Sequence, residues 1–134
     1  MTEDDAIERA CQRLILQFAS ANDDARWDEA AELFTDDGLF ARPSAPDDHV
    51  RGRDVILAAF QSRPLRLTRH IVTNILVTVD SPATASAHSL IQLYAGGDDG
   101  RARPPLIGEF HDRIVLTPQG WRFSERRGRL VFQP

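Results

Sequence analysis

His70 and Asn74 stand four residues apart in the stretch Leu67 to Val79, which reads Leu-Thr-Arg-His-Ile-Val-Thr-Asn-Ile-Leu-Val-Thr-Val. A strand points alternate side chains to opposite faces, so both belong to one face together with Thr68, Val72, Leu76 and Thr78. A neutral imidazole can take and return a proton near neutral pH. An asparagine amide can orient a ligand oxygen or bond a neighbouring strand. A face with two such groups among hydrophobes is what a half-polar pocket requires. The plainer reading of His70 is a core histidine satisfied by a main-chain carbonyl.

The second such stretch is Ala83 to Tyr94. Thr84, Ser86, His88, Leu90, Gln92 and Tyr94 share one face, and the other is small and apolar. The polar face is the better pocket candidate, with Tyr94 as a donor to a carbonyl and His88 as a second acid. In the third stretch Glu109, His111 and Arg113 alternate with Phe110, Asp112 and Ile114, which leaves open the set that faces inward. Arg42 could bind a carboxylate or enolate at a pocket mouth, or be a solvated arginine at a strand end. His70, His88 and His111 lie on separate strands without paired spacing or an adjacent acidic ligand motif, so neither a metal site nor a cofactor is expected.

The elements that must position these groups follow from periodicity. Residues 3–22 form an amphipathic helix with Ile7, Cys11, Leu14, Ile15 and Phe18 on its stripe. Asp23 or Asp24 caps a second helix through Phe34, with Trp27, Ala30, Ala31 and Phe34 inward. A short strand covers Leu39 to Arg42, and Pro43 to Val50 is a loop. Gly52-Arg53-Asp54 opens a third helix carrying Val55, Ile56, Ala59 and Phe60. Four long strands follow, with the Leu67 to Val79 strand central and both its faces covered. Short turns between them favour an antiparallel meander covered by the helices, an α+β architecture in one domain over residues 1–134.

Composition narrows the chemistry. All sixteen cationic residues are arginine, which removes Schiff-base, pyridoxal phosphate and P-loop lysine mechanisms. A net charge of −4 argues against nucleic acid as the main partner. No apolar run reaches a membrane span, and the acidic Met1 to Asp5 does not read as a signal peptide. One cysteine, Cys11, allows no intramolecular disulfide, and a cytoplasmic protein is the default expectation.

This order of elements, with Trp27-Asp28, Leu33-Phe34-Thr35-Asp36-Asp37, Gly52-Arg53, Arg69-His70-x-x-x-Asn74 and Gly120-Trp121-Arg122, resembles the SnoaL-like group of the nuclear transport factor 2-like superfamily. The resemblance spans essentially the whole chain. It implies a cone-shaped curved antiparallel sheet packed on three N-terminal helices, with a pocket floored by helix one. The superfamily includes dehydratases, isomerases, polyketide cyclases, epoxide hydrolases and binding modules, so fold alone does not choose. In scytalone-dehydratase-like members a catalytic aspartate precedes a tryptophan by four residues, the offset of Asp23 from Trp27, and His70 matches their strand histidine. The resemblance therefore implies Asp23 and His70 as catalytic residues. The chain departs from that pattern where a second histidine would stand, at Tyr94, and from the steroid-isomerase pattern at Arg42, which is not acidic. Substrate contacts are expected from His88, Tyr94, Asn74, Trp27, Phe40 and Phe110. The expected function is a cofactor-independent lyase or isomerase on a small hydrophobic oxygenated molecule. The rival is a binding or accessory protein of the same fold, and a homodimer through the outer sheet face is expected in either case.

Overall fold

A computed structural model describes residues 1–133. Helix α1 (Glu3–Asp23) begins at a capping box, in which Thr2 Oγ1 accepts from the Asp5 N–H and the Thr2 N–H donates to Asp5 Oδ2. Its predicted stripe, Ile7, Cys11, Leu14, Ile15 and Phe18, is buried throughout. Helix α2 (Trp27–Glu32) follows, then β1 (Phe34–Ala41), β2 (Val50–Arg51), α3 (Arg53–Gln61), β3 (Thr68–Ser81), β4 (Thr84–Ala95), β5 (Leu106–Thr117) and β6 (Gly120–Leu130). The six strands form one sheet in the order β2-β1-β6-β5-β4-β3. The expected α+β cone is present, with three helices preceding the four long strands.

Four local expectations differ from the structure. Asp23 is the last residue of α1 and Asp24 its C-cap; neither caps α2, whose N-cap is Arg26. The intervening turn uses Ala25 at φ 55° and is braced by Arg26, which bonds Ser20 Oγ and Asp24. Helix α2 also stops short of Phe34. The Leu33 carbonyl accepts from the Phe123 N–H at 2.8 Å, which draws the chain into the sheet. The strand expected at Leu39 to Arg42 begins earlier, at Phe34, and Asp36-Asp37-Gly38 kinks it between the pairs Phe34↔Phe123 and Leu39↔Glu125. Arg53 holds the kink by donating to the Phe34 carbonyl and to Asp36. Val50, expected as the end of a loop, pairs with Phe40 of β1, and Arg51 with Leu39.

The strands β3 to β6 form the predicted antiparallel meander, whereas β1 runs parallel to β6. Strand β3 is an edge strand, not the central one. Nor are both its faces covered as expected: the outer one carries Ile71 and Leu76, 46% and 69% exposed.

Strand β3 also changes parity. Thr73 pairs with Leu90 and Leu76 with His88, so Asn74 and Ile75 together oppose Ser89. Asn74 takes φ 53°, a left-handed conformation that asparagine tolerates better than most residues. Before this bulge Thr68, His70 and Val72 face inward; after it Ile75, Val77 and Val79 do. The rows across the inner face are then His70–Leu93–Leu106, Val72–Ile91–Gly108–Leu130, and Val77–Ala87–Asp112–Arg126. The centre of the core is Phe18, with the rings of Phe34, Phe40, Phe60, Phe110 and Phe123 at 5.7–6.3 Å.

Beyond β1, Pro43 wedges against β5 and β6. A Cβ at Gly128 would lie 2.7 Å from the Pro43 ring and 2.8 Å from its backbone nitrogen, an approach only glycine permits. Gly128→Ala should therefore cost about 1–3 kcal/mol in urea unfolding. A β-branched residue at the bulge is disfavoured for a different reason. Asn74→Val should lose about 1–2 kcal/mol, while Asn74→Gly keeps wild-type stability or gains slightly; equal stability of the valine variant would contradict the assigned backbone conformation.

Candidate functional site

The inner rows nearest the start of β3 do not close on α1. They leave a cavity of about 390 Å³, within the range of small-molecule sites. Its walls come from Phe18, Asn22 and Asp23 at the end of α1, Trp27 of α2, Phe40 of β1 with Arg42 and Pro43 beyond it, Thr68, His70 and Val72 of β3, and Ile91, Leu93, Leu106 and Phe110 of the adjoining strands. Helix α1 and the sheet thus enclose it as expected.

Asp23 and His70 meet at this cavity. The His70 Nδ1–H donates to Asp23 Oδ1 at 2.5 Å, with side-chain exposures of 21% and 11%. The carboxylate accepts two further bonds, from Thr68 Oγ1 at 3.0 Å and from the His70 N–H at 2.9 Å. Because an ionised carboxylate can only accept, its bond places the imidazole proton on Nδ1. The lone pair is then on Nε2, and His70 is one of the residues lining the cavity. The arrangement is an oriented base on a rigid strand beside an apolar space.

Trp27, Phe40 and Phe110 line the cavity as expected. His88, Tyr94 and Asn74 do not. The face of β4 that carries His88 and Tyr94 is the outer one. The inner face is the small one, with Ala85, Ala87 and Ser89 packed among the core residues. Tyr94 Oη donates to Gln92 Oε1 on that outer face, and Asn74 sits exposed at the bulge that turns its face outward. Arg42 does reach the cavity, and it is exposed there.

On the outer face, strand pairing places His88 opposite His111, their rings stacked at 4.6 Å. With Glu109 they offer three potential ligand atoms within 4.8 Å of one another. The expectation that no acidic group accompanies the histidines is therefore corrected, since register rather than linear spacing creates the group. Glu109 is already engaged by His111 at 3.0 Å and Arg129 at 2.9 Å, which hold its carboxyl below the usual range.

Sequence reasoning missed Arg126 and Asp112. Arg126, 1% exposed, lines the cavity with its guanidinium carbon 3.8 Å from the Phe110 ring centroid and 4.7 Å from those of Phe18 and Phe123. Its Nη1 donates to Asp112 Oδ2 at 2.7 Å, while Nε finds no partner. Burial pushes the Asp112 carboxyl up to about 6, with Arg126 pulling it back. Alternation puts Asp112 on one face with Phe110 but does not show that this face is inward, and Arg126 joins them only through the pairing of β5 with β6.

A curved, unclosed α+β sheet wrapped on a helix, with a histidine–carboxylate pair lining the cavity between them, places the protein among cone-fold pocket proteins. The model for the SnoaL-like domain matches residues 6–127, and the chain belongs to that family. Among solved structures, a candidate scytalone dehydratase from Novosphingobium aromaticivorans is 23% identical, covering 97% of this chain and 87% of that one with a TM-score of 0.84. A candidate aromatic ring hydroxylase from the same organism is 24% identical (94% and 90% covered, TM-score 0.79). A Catenulispora acidiphila protein in complex with S-DNPA is 22% identical (93% of each chain, TM-score 0.75). Comparison with curated proteins finds no match. No helix among the described residues is long and apolar enough to cross a membrane.

The buried pair should be visible in the pH dependence of stability. The folded Asp112 carboxyl keeps its proton to a higher pH than the unfolded one, so its contribution is present below about pH 4 and lost as pH rises through about 6. The stability difference between wild type and Asp112→Asn should shift against the wild type by about 2–3 kcal/mol across that interval. A difference that stays flat with pH would contradict a carboxyl raised by burial.

Proposed function

We propose that the protein is a cofactor-independent lyase or isomerase acting on a small, largely hydrophobic oxygenated molecule. The observation that carries this reading is the 2.5 Å bond from His70 Nδ1 to Asp23 beside an apolar cavity of about 390 Å³. His70 Nε2 takes a proton from a carbon next to a carbonyl, and Asp23 stabilises the imidazolium that forms. In dehydration the electron pair of the broken C–H bond forms the new double bond as the C–O bond breaks. The imidazolium then returns its proton to the departing hydroxyl, which leaves as water. In a double-bond shift the same proton returns to a different carbon. Trp27, Phe40 and Phe110 hold the apolar body of the substrate. The fold shared with a candidate scytalone dehydratase supports this class of reaction.

The protein works as a single domain in a cytoplasmic homodimer joined through the outer face of the sheet. Exposed Ile71 and Leu76 on that face support the dimer, and a single, buried Cys11 suits a reducing compartment. Leu76→Glu should then yield monomers in sedimentation equilibrium, whereas an unchanged dimer would place the interface elsewhere.

The catalytic assignment is tested by screening hydroxy-ketones and polyketide-like compounds for turnover. Asp23→Asn and His70→Ala should each lower the rate by about two to four orders of magnitude, with folding checked by circular dichroism. Full activity in both variants would remove the pair from the mechanism.

A further inference from the structure

The charge around the cavity is opposite in sign to that of the chain. The protein carries a net charge of −4, yet the charged side chains lining this space are four arginines, Arg42, Arg63, Arg66 and Arg126, and a single carboxylate, Asp23. Asp112 accompanies Arg126, and Asp23 is occupied by His70 and Thr68. Among the described residues, Arg42, Arg63 and Arg66 form no ion pair with an acidic side chain.

Arg63 is the most constrained of the three. Its guanidinium lies 4.6 Å over the ring of Phe60 and 5.7 Å from that of Trp27, and its Nη1 donates to Asn22 Oδ1 at 2.7 Å. A neutral amide is its hydrogen-bond partner where a carboxylate would have balanced its charge. Burial, followed by repulsion from Arg42 and Arg66, pushes Arg63 down to about 10, so it remains a cation at neutral pH. Like charges gathered at a half-buried site oppose one another unless an anion joins them. Deeper in, Arg126 lines the cavity among phenylalanine rings, its Nε buried and without a partner. Each feature alone has a plain structural explanation. Together they describe a cavity with cationic groups at its rim, apolar walls, and one buried donor left unsatisfied.

We propose that the ligand of this cavity is an organic monocarboxylate with an apolar ring body, its carboxylate held by Arg42, Arg63 and Arg66. This deepens the catalytic reading above and rests on the cavity being the substrate site. The apolar walls exclude a small, fully hydrated anion as the preferred ligand, because such an ion would give up water without apolar contact in return. The rim arginines would also draw anions toward the mouth, an effect that salt weakens.

The test is a matched pair of probes, 2-naphthoate and its methyl ester, titrated into the full-length protein by calorimetry at low and high salt. The acid should bind about tenfold or more tightly than the ester, the scale of a charge-assisted hydrogen bond, and the preference should shrink at high salt. In the double variant Arg42→Gln, Arg66→Gln, whose altered side chains are exposed, Arg63 alone remains at the rim, and the preference for the acid should fall severalfold. Equal binding of the two probes to wild type, a preference undiminished in the double variant, or binding of neither probe would each overturn the proposal. His70→Ala separates this result from the catalytic reading. It should lower turnover by about two to four orders of magnitude and leave the preference for the acid intact, so either conclusion can fail without the other.

Discussion

The Asp23 carboxylate is the tie on which the rest of the molecule depends. A negative charge in the last turn of a helix opposes the helix dipole, and here the cost is offset by three donors: a hydroxyl, a main-chain N–H and an imidazole N–H, all from β3. These bonds fasten the C-terminal end of α1 to the edge of the sheet farthest from β1. The helix is thereby held across the concave face and the cone keeps its shape. The same carboxylate decides which imidazole nitrogen carries the proton. Scaffold and chemistry therefore share one group, and a variant that disturbs one is read through the other.

The interior is divided by its polarity. Toward β1 and α3 it is closed by phenylalanine rings in edge and tilted contacts around Phe18. Against that cluster stands a buried ion pair, Arg126 with Asp112, in which one oxygen and one nitrogen lack partners. Such a pair is a weak source of stability, since its desolvation offsets much of its attraction. Its position explains its presence better. The aspartate holds one edge of the guanidinium, and the rings of Phe18, Phe110 and Phe123 pack around it where the residue lines the cavity.

The elements were legible wherever periodicity was undisturbed. The stripe of α1, the four long strands and the cone they build follow from residue patterns and from the order of the motifs. The Asp23–His70 contact was anticipated through the offset from Trp27 and the strand position of the histidine. What sequence could not show was anything set by register. The bulge at Asn74 inverts the parity of β3, and the small face of β4 goes inward because bulky residues of α1 and neighbouring strands fill the space before it. His88, Tyr94 and Asn74 consequently lie outside, and Asp112 and Arg126 inside. The parallel pairing of β1 with β6 escaped for a similar reason, because it joins residues nearly ninety positions apart in the chain.

The bulge in β3 also bears on how copies of the chain avoid one another. Strand β3 is fourteen residues long and ends the sheet on one side. A straight strand of that length would offer an unbroken row of amide and carbonyl groups to any extended segment that met it, the starting point of fibrous aggregation. The left-handed kink at Asn74 breaks that row near its middle, so neither half presents a long, flat template. A residue that appears in the sequence as a candidate ligand-binding amide thus guards the open margin of the sheet against runaway strand addition.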